Sequence, residues 1–180
     1  AGMPTIRLIT ESGIVPHRAS GYLVDSTGYR HQEWVSPELN TTADGPMLMS
    51  VRDMIAWNDV VRRRAVLSAE SWAQMQGPVT LRSGKKYPYG MAWFVDSLRG
   101  EQVLQHGGDW QGFRTQIKRF AHGDLTVIVL ANSRTANREL IANEIAAVVD
   151  TALRSPGLPR EPIADREPAA AHRRDRRDPG

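Results

Sequence analysis

Cysteine is absent from all 180 residues. That excludes a disulfide-stapled scaffold, a thiolate zinc site and a cysteine nucleophile. Lysine is nearly absent too: the 23 basic residues include only Lys85, Lys86 and Lys118. No apolar run approaches the roughly 20 residues that a spanning helix needs, so no membrane span is expected. No secretory pattern opens the chain, and its first residue is Ala, so polypeptide upstream of residue 1 is expected. Charge of one sign is scarce as well. The net charge is +3, and the stretch from Arg154 onward carries seven arginines against five acids. The body is not a basic nucleic-acid binder by charge, and no nucleic-acid partner is expected. What the chain does have is 41% hydrophobic residues, enough for a core.

Two regions emerge, 1–153 as a folded unit and 154–180 as a tail. Pro156, Pro159, Pro162, Pro168 and Pro179 break any regular element in the tail, and it has almost no apolar anchor. Such a segment cannot offset its ordering entropy and reads as disordered and solvated. The first 45 residues read as irregular, with an extended piece near Ser20 to Val24. Ser50-Val51-Arg52-Asp53 resembles a capping box and opens a helix that ends near Arg63 or Arg64. A second helix runs from about Ala69 to Gln76, capped by Ser68 and stopped by Gly77-Pro78.

The period then changes to two. Strands are expected over Gly90 to Leu98, Gln102 to His106, Gly112 to Phe120 and Leu125 to Ala131, with turns at Arg99-Gly100 and Ala121 to Asp124. A last helix covers Asn137 to Leu153, its stripe of Leu140, Ile141, Ile145, Val148, Val149 and Ala152 facing the sheet. The fold class is therefore α+β, an antiparallel sheet with a C-terminal helix packed on it. Leu125 to Ala131 is apolar on both faces and needs cover on both. The two short helices look inadequate for the second face, which suggests missing protein.

The most informative stretch is Leu104-Gln105-His106-Gly107-Gly108-Asp109-Trp110-Gln111-Gly112-Phe113. A histidine ends an apolar strand and two glycines follow, which suits a strand edge lining a cleft. From these ten residues alone, the bland alternative is a glycine-rich bend with an incidental histidine. Around them stand Ser50-Val51-Arg52-Asp53-Met54, Leu67 to Met75, Tyr89-Gly90-Met91-Ala92-Trp93, Gly112-Phe113-Arg114-Thr115 and Leu130-Ala131-Asn132-Ser133. This ordered set resembles the C-terminal half of the serine β-lactamase-like hydrolases, which include class C β-lactamases, penicillin-binding-protein-related esterases and D-aminopeptidases. The resemblance covers roughly residues 1 to 150 and implies the C-terminal part of a β-lactamase/transpeptidase-like fold.

The resemblance also implies a site. The family uses S-x-x-K on a helix, Tyr-x-Asn or Ser-x-Asn, and Lys-Thr-Gly or His-x-Gly on an edge strand. His106-Gly107-Gly108 is similar to the third element. His106 would then contact substrate or relay protons, and the backbone N–H of Asp109 would be an oxyanion-hole donor. Gly107, Gly108 and Trp110 would line the substrate cleft. The implied substrates are small esters, amides or peptides, with no cofactor. The His-Gly-Gly form, without a fixed lysine charge, weakly favours these over β-lactams.

The other two elements do not appear. No Tyr has Asn two positions later, and the one formal S-x-x-K, Ser83-Gly84-Lys85-Lys86, lies in a glycine-containing loop. Nucleophilic catalysis needs an activated nucleophile, so the chain is expected to be a fragment, inactive alone. The rival expectation is a non-catalytic interaction module that pairs through an exposed sheet edge. A third, weaker reading has the arginine-rich tail touching nucleic acid. His17, His31, His122 and His172 are scattered without ligand spacing, so no metal site is expected. Trp57, Trp72 and Trp93 are read as core. Tyr22 and Tyr29 are candidates to reach the cleft. The compartment stays open.

Overall fold

The computed structural model describes residues 2–10, 12–31, 45–121 and 124–154. The tail beyond Arg154, Trp34, His122 and Gly123 lie outside these residues, and so do the expectations attached to them.

The elements in order are β1 (Arg7–Leu8), β2 (Tyr22–Asp25), β3 (Gly28–His31), β4 (Met47–Leu48), α1 (Val51–Arg62), α2 (Ala69–Gln76), β5 (Val79–Thr80), β6 (Lys86–Tyr87), β7 (Phe94–Leu98), β8 (Glu101–Trp110), β9 (Phe113–Phe120), β10 (Thr126–Ala131) and α3 (Arg138–Val149). A 3₁₀ turn, Thr151–Leu153, follows α3. The main sheet is a four-stranded antiparallel meander in the order β10-β9-β8-β7. Three two-stranded pairs, β1-β4, β2-β3 and β5-β6, surround it. The α+β class and the antiparallel sheet are as expected.

The sheet is covered on both faces. Alternation puts Val103, Phe120, Val127 and Val129 on one face, where they pack with Ala142, Ala146 and Leu153. Leu104, Ile117 and Ile128 lie on the other, against Met54, Trp57, Val61, Trp72, Met75 and Trp93. Trp72 is fully buried and its indole N–H donates to the Ala65 carbonyl at 3.2 Å. The short helices do cover the second face of β10, contrary to expectation, because two tryptophans and two methionines supply bulk that helix length does not. Leu130, at the end of β10, stays exposed.

The orientation of α3 is a second correction. The helix buries Ala142, Ala146 and Ala147, while Leu140, Ile141, Ile145, Val148 and Val149 are exposed. Close packing explains the choice: the sheet presents bulky Phe120, Val127 and Val129, and alanines let the helix approach them. The helix also ends at Val149, before the 3₁₀ turn.

Toward one end the α3 face of the sheet turns polar. Gln105 donates to Asp96 at 2.6 Å and accepts from Gln116 at 3.0 Å. Lys118 donates to Asn143 at 2.8 Å. These buried groups are paired, as buried polar groups must be.

The amino-terminal segment is tied to α1. Ser50 caps the helix through Asp53 N–H at 3.3 Å, and the Asp53 carboxylate accepts from Ser50 N–H at 2.9 Å, completing the capping box. Asp53 also accepts from the Thr5 hydroxyl and from Thr5 N–H at 3.1 Å. Burial pushes the Asp53 carboxyl up, but the Thr5 and Ser50 hydrogen bonds together outweigh it and hold the group at about 2, below the ordinary aspartate range. A depressed folded-state value contributes stability above pH ~4 that is lost as pH falls toward 2. Urea midpoints measured from pH 5 to pH 2 will therefore fall, and Asp53→Asn will start lower and lose that part of the slope.

Candidate active site

The neighbours β7 and β8 differ in length. Their ladder runs from Leu98 opposite Glu101 to Phe94 opposite Gln105 and stops. β8 continues to Trp110, pairing there only with β9 among the described residues. The turns on either side of β8 fix which groups face the vacant edge. Arg99 and Gly100 have φ of 57° and 81°, and Gln111 and Gly112 have 48° and 81°. Positive φ at both central positions marks two-residue type I′ hairpins. The flanking pairs, Leu98 with Glu101 and Trp110 with Phe113, are then hydrogen-bonded, and bonding alternates from there. His106, Gly108 and Trp110 direct their backbone groups to β9. Gly107 and Asp109 direct theirs to the edge that β7 has left.

The glycines sit inside a continuous strand. The expected end of the strand at His106, and the alternative of a bend, are both corrected. Each glycine has a packing reason instead. A Cβ on Gly107 would lie 2.7 Å from Arg138 Nε and 2.8 Å from Gln116 Oε1, and one on Gly108 would lie 2.5 Å from Thr115 Oγ1. Backbone continuity was hidden because glycine weakens a strand signal wherever a close approach requires it.

The side chains divide between the faces. His106 shares the α1/α2 face with Gly108 and Trp110. Its Nδ1 lies 2.7 Å from the Gly107 carbonyl and its Nε2 lies 3.1 Å from the Tyr89 hydroxyl. Phe94 packs edge-on against Tyr89, ring centroids 4.6 Å apart, and lies 5.7 Å from the imidazole. Trp110 is half-buried, with its ring against Gly45 and its indole nitrogen unpartnered among the described residues.

On the opposite face, Arg138 from the first turn of α3 donates to the Gly108 carbonyl at 2.9 Å and approaches the Asp109 carboxylate at 3.9 Å. Arg114 pairs with the same carboxylate at 3.2 Å. The two guanidiniums offset the negative charge beside the Asp109 N–H. Without them that charge would oppose an anion at the edge. Such an N–H can donate to a developing oxyanion, an interaction worth about 3–4 kcal/mol where it is preorganised.

The sequence-derived set, His106, Gly107, Gly108, Asp109 and Trp110, thus falls on one strand, along the length of β8 whose β7 side is unpaired among the described residues. Tyr22 borders the turn that ends β8, its N 2.6 Å from a Cβ placed on Gly112; its backbone bonds Asn132 and Arg134, and its ring contacts Tyr29 and His31. Gly21 backs onto the Gln111-Gly112 turn. Ser83 lies in an exposed turn between β5 and β6, its hydroxyl 3.5 Å from Lys85 N–H. Sequence reasoning missed Tyr89 and Arg138 as site residues. Tyr89 lies 17 positions before His106, and Arg138 lies 30 beyond Gly108. Tyr89 reaches the site through its bridge to Phe94, and Arg138 through the packing of α3 on the sheet.

Gly107→Ala will displace the Arg138 guanidinium and lower stability by about 1–3 kcal/mol in urea unfolding. Arg138→Ala in the same chain will recover part of that loss, giving non-additivity in the double-mutant cycle.

Comparison with known proteins bears on the family and the fold. A family model described as Beta-lactamase matches residues 1–150. The D-aminopeptidase of Gluconobacter oxydans (strain 621H) is 29% identical over 166 residues, covering 89% of this chain and 29% of that protein. The D-aminopeptidase of Brucella anthropi is 26% identical over 132 residues, covering 73% and 25%. The chain thus spans less than a third of the length of these relatives. In fold it is similar to the octameric penicillin-binding protein homologue from Pyrococcus abyssi, with a TM-score of 0.66, 24% identity, and coverage of 82% of this chain and 34% of that one. A penicillin-binding protein from Bacillus halodurans gives a TM-score of 0.65 at 16% identity, covering 82% and 45%. Matched along most of its length, the chain belongs to the Beta-lactamase family, among the serine β-lactamase-like hydrolases.

Proposed function

We propose that these residues form the oxyanion and substrate-binding side of a serine hydrolase site acting by acyl transfer on small esters, amides or peptides. The observation that carries this reading is the Asp109 N–H on β8, unpaired among the described residues, on the same strand as His106 and backed by Arg114 and Arg138. A serine hydroxyl attacks the substrate carbonyl, the oxygen becomes an oxyanion held by this N–H, and the leaving group departs with a proton. Water then cleaves the acyl-serine. His106 contacts the substrate or passes protons, and Gly107, Gly108 and Trp110 border the acyl group. The name of the D-aminopeptidase relatives favours peptides with an amino-terminal D-residue.

The nucleophile in this reading comes from polypeptide outside these 180 residues. Ser83 and Lys86 flank an exposed turn with Gly84 at φ 81°, where no helix brings them onto one face. The chain alone is therefore inactive.

A second reading keeps the sheet edge and drops the chemistry. The outer edge of β10 pairs with no strand among the described residues, and Leu130 beside it is exposed. That edge suits an interaction module that adds a strand from another polypeptide.

Intact mass after fluorophosphonate treatment separates these readings. The 180-residue chain will take no adduct, with or without Ser83→Ala. A longer natural polypeptide containing it will take one adduct, and His106→Ala there will lower kcat/KM by about 100-fold. An adduct on the short chain that Ser83→Ala abolishes overturns the proposal. A longer polypeptide that takes none favours the interaction module.

A further inference from the structure

The hydrogen bonds around His106 have a direction that the distances alone do not state. The Gly107 carbonyl can only accept, so the Nδ1 atom 2.7 Å away carries a proton. In a neutral imidazole Nε2 is then the acceptor. The Tyr89 hydroxyl, 3.1 Å from Nε2, must be the donor. Its only proton is committed to the ring, so what Tyr89 offers any third group is an oxygen lone pair.

Protonation of His106 inverts this. Imidazolium donates from both nitrogens. Nε2–H then points at the phenol oxygen, and the Tyr89 O–H turns away from the ring as a free donor. Phe94 from β7 and Ile117 opposite on β9 are apolar. Asp109, Arg114 and Arg138 occupy the other face of the sheet, and no ion pair to His106 forms among the described residues. Phe94 clamps the Tyr89 ring edge-to-face, so the phenol is held in place for either role.

We propose that Tyr89 is a specificity-determining residue of this site: with His106 neutral its hydroxyl oxygen accepts an N–H donor of the substrate, and with His106 protonated it becomes a donor. The ligand class that fits the neutral state is an amine or primary amide. This rests on the hydrolase reading for the word substrate, but the hydrogen-bond switch stands apart from turnover.

The test uses the full 180-residue chain and long-range ¹H–¹⁵N imidazole spectra recorded across the His106 titration. Above it, Nδ1 of His106 will be the protonated nitrogen and Nε2 the bare, hydrogen-bonded one. In Tyr89→Phe, Nε2 will move toward the unbonded end of its range while the sheet amides keep their positions. Added D-alaninamide will perturb His106 saturably above the titration, and Tyr89→Phe will weaken that binding by about tenfold. A proton on Nε2 in the unmodified chain above the titration overturns the proposal even if Tyr89→Phe fails to fold. So does D-alaninamide binding that is absent or indifferent to Tyr89. Fluorophosphonate labelling reports on the hydrolase reading independently, so the two can fail separately.

Discussion

The ladder between β7 and β8 ends at Phe94, and β8 runs on for five more residues. Everything that makes this molecule chemically interesting depends on that unpaired length. A backbone that cannot find a partner strand must satisfy its polar groups another way. Here the Gly107 carbonyl takes the His106 ring nitrogen, which fixes the imidazole against the edge. The Asp109 N–H, two residues on, has no acceptor among the described residues. Tight type I′ turns at both ends of β8 remove freedom of register, so the same groups face the edge in every molecule.

The rest of the fold holds that strand in place from both sides. Tryptophans 72 and 93 fill the space under Leu104 and Ile117, and alanines of α3 settle onto Val103 and Phe120. The polar layer of Gln105, Gln116 and Lys118 carries the α3 face from apolar core to charged site without stranding a buried group. Arg138 completes it. Because α3 starts at that residue, the guanidinium lies over Gly107 and bonds the Gly108 carbonyl, coupling the helix to the strand edge.

Much of this was legible in the sequence, and the reasons differ from one element to the next. Ser50 and Asp53 announced α1 because capping is local chemistry. Arg99-Gly100 announced a hairpin because its central positions require positive φ. His106-Gly107-Gly108 announced the edge through resemblance. The register of β8 with β7 was not legible: the strand expected from Gly90 begins only at Phe94, because the chain turns back between Gly90 and Trp93, where the Gly90 N–H bonds the Trp93 carbonyl at 2.8 Å. Nor was the orientation of α3. Its large residues outweigh its alanines in any periodicity, but contact with a bulky sheet favours the alanines. Tyr89 and Arg138 were invisible as site residues because their partners are distant in sequence.

Among the described residues, β8 carries a free, oriented N–H at Asp109. Residue-resolved amide hydrogen exchange of the chain tests it most directly. A bonded amide in a central ladder opens rarely, whereas an edge amide exchanges almost as in an open chain. Asp109 and Gly107 amides will exchange at least about 100-fold faster than those of Gly108 and His106, giving an alternating pattern along one strand. Equal protection of Gly108 and Asp109 would mean that the edge is covered or the register is shifted, and the account of the site would fall.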